Sequence, residues 1–197
     1  MDNQLAMLDE ALREFTARVD AVADDQWDGP TPASEWSVRD LIGHVVDEHR
    51  WAPPLVNGHD LAAAEQIVKG SRSTRNDAER GLDLKAEWHD VATASAQAFG
   101  EPGALERQVS LSRGPTPCTT YLDEMLFDLV VHGWDLGKAI GYPGSWPEAL
   151  VESVWHEVQR MGDLHALGGD MFAPAVAVPD DAPALHKLVG ATGRDPR

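Results

Sequence analysis

The sequence predicts an all-α fold: a four-helix bundle followed by a short C-terminal extension. Apolar residues recur three and four positions apart over several long stretches, which is the spacing of an amphipathic helix. The stretches are separated by clusters of glycine and proline, and alternating polar and apolar runs typical of strands are almost absent. A chain of 197 residues fits a single domain. We expect the bundle over about residues 3–161 and the extension over about 162–197.

The first two helices are predicted from their apolar spacing and from the residues at their ends. Leucine, phenylalanine and valine side chains place the first helix over about residues 3–24. The glycine and two prolines within residues 29–32 cannot continue it. A second helix begins at Ser37, because Ser37 and Asp40 have the spacing of a capping box. We expect it to end before the prolines at 53–54, since the residue before a proline disfavours helical geometry.

Three further helices are predicted, over about residues 76–99, 119–140 and 147–161. The mixed composition of residues 56–75 predicts a long connection with one helical turn. Valine and leucine within residues 109–111 indicate a short extended piece between two Gly/Pro loops.

The charge balance excludes several classes of function. The chain carries 16 basic and 33 acidic side chains, a formal net charge of -17, so nucleic acids and anionic membrane surfaces would be repelled. No stretch approaches the ~20 apolar residues that span a bilayer. Cys118 is the single cysteine, so no internal disulfide can form, and a cytoplasmic location is expected.

The fourth predicted helix carries a carboxylate and an imidazole one turn apart. Asp128 and His132 are four residues apart and lie on one border of an apolar face rich in leucine. Both could bind one divalent metal ion, as paired ligands do in zinc-protease helices. The alternative is an ordinary surface pair at helical spacing.

The second helix adds further candidate ligands. His44 lies on the border of its apolar face, Glu48 follows one turn later, and His49 lies nearer the middle of that face. His44, Asp128 and His132 would supply two nitrogens and one oxygen, and three protein ligands with an open position are typical of catalytic zinc. Spacing alone leaves His49 as a rival.

Nucleophilic and nucleotide-binding motifs offer no competing site. Cys118 lies at a helix start, where a thiol pKa can fall, but no histidine stands beside it to act as a base. The sequence contains no phosphate-binding glycine loop, nucleophile elbow or pair of metal-binding cysteines.

Two segments resemble a known family. The run from Thr31 to His44, TPASEWSVRDLIGH, resembles the second-helix signature of actinobacterial DinB-like proteins. His132-Gly133-Trp134-Asp135-Leu136 resembles their fourth-helix signature. This family includes the metal-binding domain of mycothiol-dependent maleylpyruvate isomerase.

The resemblance implies a four-helix bundle that holds a divalent metal with one ligand from the second helix and two from the fourth. His44 matches the first histidine of the family, which selects it over His49, and His132 matches the last. Position 128 is histidine in many DinB-like proteins and glutamate in the isomerase, whereas this chain has aspartate. Zinc is the expected metal, and mixed nitrogen and oxygen ligands also suit nickel, iron or manganese.

The resemblance further implies a cytosolic enzyme of the thiol transferase or isomerase kind, with mycothiol as co-substrate and an electrophile as its partner. The metal would lower the thiol pKa, and Glu48 or Asp135 would orient a ligand histidine. Two other functions remain open: a metal-dependent hydrolase of an amide or ester, and a non-enzymatic metal- or ligand-binding bundle. Bundles with apolar outer faces often pair, which would give a homodimer.

Overall fold

A computed structural model describes residues 2–33, 35–71, 80–168 and 172–197. The chain divides into two compact units, Met1–Tyr142 and Pro143–Arg197. Among the described residues, the first unit contains five α-helices and one hairpin: α1 (Asp2–Ala21), α2 (Val38–Val56), α3 (Leu61–Ser71), α4 (Arg80–Gly100), β1 (Gln108–Leu111), β2 (Gly114–Pro117) and α5 (Cys118–Ile140). The described part of the second unit contains three helices: α6 (Glu148–Met161), α7 (Leu164–Gly168) and α8 (Ala184–Ala191).

Helices α1, α2, α4 and α5 form the bundle. Helix α2 packs between α4 and α5, and α1 packs against the same two helices on the other side. Their inward faces make the core, whose largest fully buried apolar residues in this unit are Trp88, Phe15, Phe99, Leu8, Leu41, Ile42, Leu122, Leu129 and Leu136. Each such side chain stabilises the fold by about 1.5–3 kcal/mol relative to exposure. The predicted all-α fold with a four-helix bundle is therefore confirmed.

The predicted end of the second helix was wrong. Helix α2 continues through Pro53 and Pro54 to Val56. Each proline removes one backbone donor, but only the last turn follows, and that turn still closes because Asn57 N–H donates to Pro53 O at 3.0 Å. Pro54 and Val56 are buried. The packing of this final turn offsets the missing hydrogen bonds.

The connection after α2 also differs from the prediction of a long connection with one helical turn. Residues Leu61–Ser71 form α3, which packs against α2. Asp60 begins this helix, since its Oδ1 accepts from Ala63 N–H at 2.8 Å. That capping residue and the three alanines after Leu61 favour a helix, and both signals were missed.

Helix α4 is described from Arg80, so the predicted residues 76–79 lie outside the described part of the chain. The extended piece at 109–111 is one half of an antiparallel hairpin, in which Val109 pairs with Thr116. The other half, β2, occupies residues for which the glycine and proline content predicts a loop, so that prediction was wrong. Strand β2 leads directly into α5, whose first residue is Cys118.

The second unit is built around α6 and α8, which pack against each other. Val176 N–H donates to Gly190 O at 2.9 Å, so the extended segment after residue 172 lies against α8. A side chain at Gly190 would bring its Cβ to 2.9 Å from that segment's backbone oxygen, which is why only glycine fits there. The predicted bundle range of 3–161 stays a prediction, and α6 belongs to this second unit.

None of the helices in the described part of the chain combines the length and the apolar character that crossing a membrane requires.

Candidate metal centre

The candidate centre begins with the way α2 starts. Ser37 is the N-cap, and its hydroxyl accepts from Asp40 N–H at 3.2 Å, while Ser37 N–H donates to the Asp40 carboxylate at 3.0 Å. The predicted capping box is therefore confirmed. Pro30 also lies opposite Ser37 in an antiparallel backbone pair, in which Thr31 N–H donates to Trp36 O and Val38 N–H donates to Gly29 O. This pairing fixes the segment that enters the helix. This places His44 two turns into α2, on the side that faces α5.

Helix α5 supplies the other two predicted residues. Asp128 and His132 lie one turn apart on it, next to the buried Leu129 of the bundle core. Because the side chains at positions i and i+4 of a helix share a face, the carboxylate and the imidazole can reach one point. Since α2 packs against α5, His44 reaches that point from the opposite side.

The structure brings His44, Asp128 and His132 together. One potential ligand atom from each side chain lies within 4.8 Å of the others. His44 Nε2 is 3.5 Å from Asp128 Oδ2, and His132 Nε2 is 3.8 Å from Asp128 Oδ1. The side chains of His44, Asp128 and His132 are 31%, 27% and 11% exposed, so the cluster is open to a small molecule.

These distances suit a divalent metal. Tetrahedral zinc with bonds of about 2.0–2.1 Å holds its ligand atoms about 3.3 Å apart. The shortest spacings, 3.5 Å from His44 Nε2 to one Asp128 oxygen and 3.8 Å from His132 Nε2 to the other, are close to this value, and the three ligand atoms, which lie within 4.8 Å of one another, would draw together around an ion. Two nitrogens and one oxygen leave one position of a tetrahedron open. The donor set therefore fits zinc and the other metals that accept mixed nitrogen and oxygen ligands.

Asp135 lies behind His132. Its side chain is fully buried, and its Oδ2 is 3.3 Å from His132 Nδ1. When Nδ1–H donates to Asp135, the lone pair of His132 Nε2 stays free on the side of the ring that faces Asp128. A carboxylate that fixes the tautomer of a ligand histidine is a recurring feature of metal sites.

The electrostatics keep the central carboxylate ionised. Burial opposes its charge, but the hydrogen bond from His44 and the two nearby imidazoles lower the pKa of Asp128. Burial also opposes a charged His44, yet the hydrogen bond and negative charge of Asp128 raise the pKa of His44. Burial and the Asp128 charge raise the pKa of Glu48, which is one turn beyond His44. Acidic groups thus surround the two imidazoles, and such a field attracts a cation.

His49, the rival ligand, lies elsewhere. It is fully buried, and its ring meets Trp88 edge-on at 5.2 Å. Neither of its nitrogens has a hydrogen-bond partner among the described residues. Burial lowers the pKa of His49 to about 4, so the ring is neutral. His49 is outside the cluster, in agreement with what the family resemblance implied.

Trp36 belongs to the site, although an indole is not a metal ligand and no catalytic motif includes it. Its indole lies 4.7 Å from the His44 ring and 5.5 Å from the His132 ring. Two features of the sequence mark it: Trp36 lies within the family signature from Thr31 to His44, and it directly precedes the capping box, where an apolar side chain folds back onto its helix. Cys118, by contrast, is buried, and burial raises the pKa of its thiol, so it is a poor nucleophile.

These features define the class: a helical-bundle protein with a clustered histidine–aspartate–histidine set suited to a divalent metal. The chain belongs to the family of the mycothiol maleylpyruvate isomerase N-terminal domain, whose model matches residues 8–137. This agrees with the DinB-like resemblance of the sequence.

Similar proteins extend over most of the chain. Two uncharacterized proteins of Mycobacterium tuberculosis, from two strains, are each 28% identical to it over 184 residues, which is 93% of this chain and 93% of theirs. Crystal structures of the mycothiol-dependent maleylpyruvate isomerase and of a mutant of it match with TM-scores of 0.61 and 0.60. They are 16% identical to this chain and cover 80% of it and 68% of their own length. At that identity the likeness shows the fold.

Proposed function

We propose that the protein is a metal-dependent enzyme in which mycothiol attacks an electrophile, either as a transferase that retains the new carbon–sulfur bond or as an isomerase that releases the thiol again. His44, Asp128 and His132 would hold one divalent metal ion, with zinc the best fit to the donors. The observation that carries the proposal is the convergence of these three side chains from two helices within 4.8 Å. Membership of a family described by a mycothiol-dependent isomerase supports the choice of thiol.

When bound, the metal supplies Lewis acidity that lowers the pKa of a thiol into the neutral range. The residues of the chain do the rest. Asp135 keeps the proton of His132 on Nδ1, so that the lone pair of Nε2 remains available to a metal ion. Glu48 lies within electrostatic reach of both histidines, and its carboxylate would add negative charge beside the metal. A metal-supplied thiolate needs no protein nucleophile, which agrees with a buried Cys118 of raised thiol pKa.

The chemical step is proposed with mycothiol sulfur as the attacking atom. In a transferase reaction a carbon–sulfur bond forms, the bond to a leaving group such as chloride breaks, and the thiol proton passes to buffer. A cytoplasmic location suits this reaction, because free thiols persist in a reducing compartment. The small-molecule partners are therefore the thiol and the electrophile, and a homodimer remains compatible with the bundle.

The test is a thiol-dependent assay with matched variants. Purified protein loaded with zinc is mixed with mycothiol and chlorodinitrobenzene, and thioether formation is followed. We expect turnover that disappears in His44→Ala and persists in His89→Ala, an exposed histidine that pairs with Asp20 outside the cluster. Turnover that continues after complete removal of metal would overturn the proposal. Metal-dependent cleavage of nitrophenyl acetate without any thiol would instead identify a hydrolase.

A further inference from the structure

Three aromatic rings meet at the candidate centre. The rings of His44 and His132 are 5.1 Å apart and meet edge to face. Trp36 packs on both, with ring centroids 4.7 and 5.5 Å away. Separations of 4.5–7 Å are those of stabilising aromatic pairs. One indole therefore contacts both nitrogen ligands that the proposed metal would use.

The backbone around Trp36 holds this indole in place from both sides. Trp36 O accepts from Thr31 N–H at 3.1 Å and from the Thr31 hydroxyl at 3.0 Å. Trp36 N–H donates to Ala33 O at 3.1 Å. The next residue, Ser37, bridges to Pro30 and caps α2. These hydrogen bonds fix the main chain of Trp36, from which the indole extends.

Glu35 shows that the loop is held against a local preference. Its φ is 72°, and among the described residues it is the one non-glycine with positive φ. Such a conformation is costly for a residue with a Cβ atom, and it persists where the surrounding structure requires it. The backbone reverses at Glu35, directly before Trp36. The hydrogen bonds of the loop sustain the strain at this point.

The two histidines differ in what orients them. Asp135 holds His132 through its Nδ1. The His44 ring is held by Asp128, itself a proposed ligand, and by its packing on Trp36. His44 is also the most exposed of the three side chains, at 31%. It is therefore the ligand with the greatest freedom to rotate and the one that gains most from an aromatic wall.

We propose that Trp36 is a positioning residue of the metal centre: its indole fixes the His44 and His132 rings and shields one side of the metal from additional water ligands. The inference rests on the proposed metal site. It adds a role for the loop before α2 that the ligand set alone does not include. Removal of the ring would loosen the ligands and let the metal gain coordination, while the bundle itself would stay folded.

The experiment compares Trp36→Leu with Trp36→Phe in the full chain. Zinc affinity is measured by competition with a chromophoric chelator, and coordination is measured from the visible spectrum of the cobalt(II) form. We expect Trp36→Leu to raise the zinc Kd about 10-fold, the lower end of the effect of residues that orient ligands. Its cobalt bands should weaken toward those of a higher coordination number. Trp36→Phe keeps an aromatic ring and should restore most of the affinity and the spectrum.

A metal-free measurement and two controls complete the design. In the proton–carbon NMR spectrum of the metal-free protein, the ring signals of His44 and His132 should move in Trp36→Leu, whereas those of the surface residue His89 should not. Trp27→Phe, whose indole faces Arg39 and Lys85 instead of histidines, should leave the cobalt spectrum unchanged. Circular dichroism verifies that each variant is folded.

The strain at Glu35 gives a second pair of variants. Glu35→Gly should retain wild-type zinc affinity, because glycine adopts positive φ at no steric cost. Glu35→Val should change the cobalt spectrum in the same direction as Trp36→Leu, because a β-branched residue resists this conformation. Equal spectra for the Gly and Val variants would contradict a role for this turn in placing Trp36.

The outcomes separate the two proposals. If wild type binds zinc and Trp36→Leu binds it equally well with the same cobalt spectrum, the role of Trp36 is overturned and the metal site stands. If wild type binds no divalent metal, both are overturned. Weaker binding in Trp36→Leu with recovery in Trp36→Phe would support the inference.

Discussion

Helix α2 carries two histidines five residues apart that have opposite environments. His44 lies on a side of the helix that is open to small molecules, between acidic groups and beside Asp128. His49 is turned about 140° further around the helix, and its buried ring packs against Trp88. The same side chain therefore becomes a candidate ligand at one position and a neutral core residue at the other. The predictions below test this contrast.

The largest expected effect comes from His49. Its folded pKa of about 4 is below the ordinary value of about 6.5. Between these values the unfolded chain binds more protons, so stability is fully present above pH 6.5 and falls as the pH drops toward 4. The loss attributable to His49 is about 3 kcal/mol. Urea unfolding of metal-free protein across this range should show it.

The control for this effect is His49→Leu, which removes the titrating ring. Asp128 also acts on His49 and remains ionised in both proteins over most of the range. The difference in unfolding free energy between wild type and variant should therefore change with pH. Parallel curves would show that His49 is not a buried neutral imidazole.

His44 should affect metal-dependent stability instead. A metal that binds only the folded state at a free concentration 100 times its Kd adds about 2.7 kcal/mol. We expect zinc to stabilise wild type and His49→Leu by this amount and to leave His44→Ala unchanged. Thermal unfolding at matched free zinc measures it. Equal stabilisation of His44→Ala would place the metal elsewhere.

The next effect concerns the carboxylate behind His132. Asp135→Asn keeps the shape but removes the charge that holds the proton on Nδ1, so zinc Kd should rise about 10–100-fold. Asp123→Asn is the matched control, because Asp123 is on the same helix and accepts from Gln4 at 2.8 Å. Similar zinc affinity in both variants would exclude the orienting role of Asp135.

The smallest effect is expected at the start of α2. Ser37→Ala removes the hydroxyl that accepts from Asp40 N–H and should cost about 1 kcal/mol of stability. Zinc affinity should change little, since the antiparallel backbone pairing of Pro30 with Ser37 does not depend on the Ser37 hydroxyl. Chemical denaturation measures the first quantity. A large loss of zinc affinity would show that the cap itself positions His44.

Local chemistry made much of the fold predictable. The capping box at Ser37 and the turn at Gly141, which has a φ of 67°, fixed helix ends because they satisfy backbone groups within a few residues. The continuation of α2 through Pro53 was not predictable in the same way. It depends on how the last turn packs in the folded protein, and the order of residues in the sequence does not give that packing.

The candidate site, too, could be predicted from the sequence only in part. The one-turn spacing of Asp128 and His132 is visible in the sequence, and the family resemblance selected His44. The contact of Trp36 with both histidines requires a reversal of the chain at Glu35, and no residue-level rule predicts positive φ for a glutamate. Tertiary contacts alone show which tryptophan reaches the cluster.

The most direct test of the metal site is the metal content of purified protein by elemental mass spectrometry, in wild type, His44→Ala and His49→Leu. We expect about one divalent metal per chain in wild type and His49→Leu, with loss in His44→Ala. Metal retained in His44→Ala, or lost in His49→Leu alone, would contradict assignment of the site to His44, Asp128 and His132.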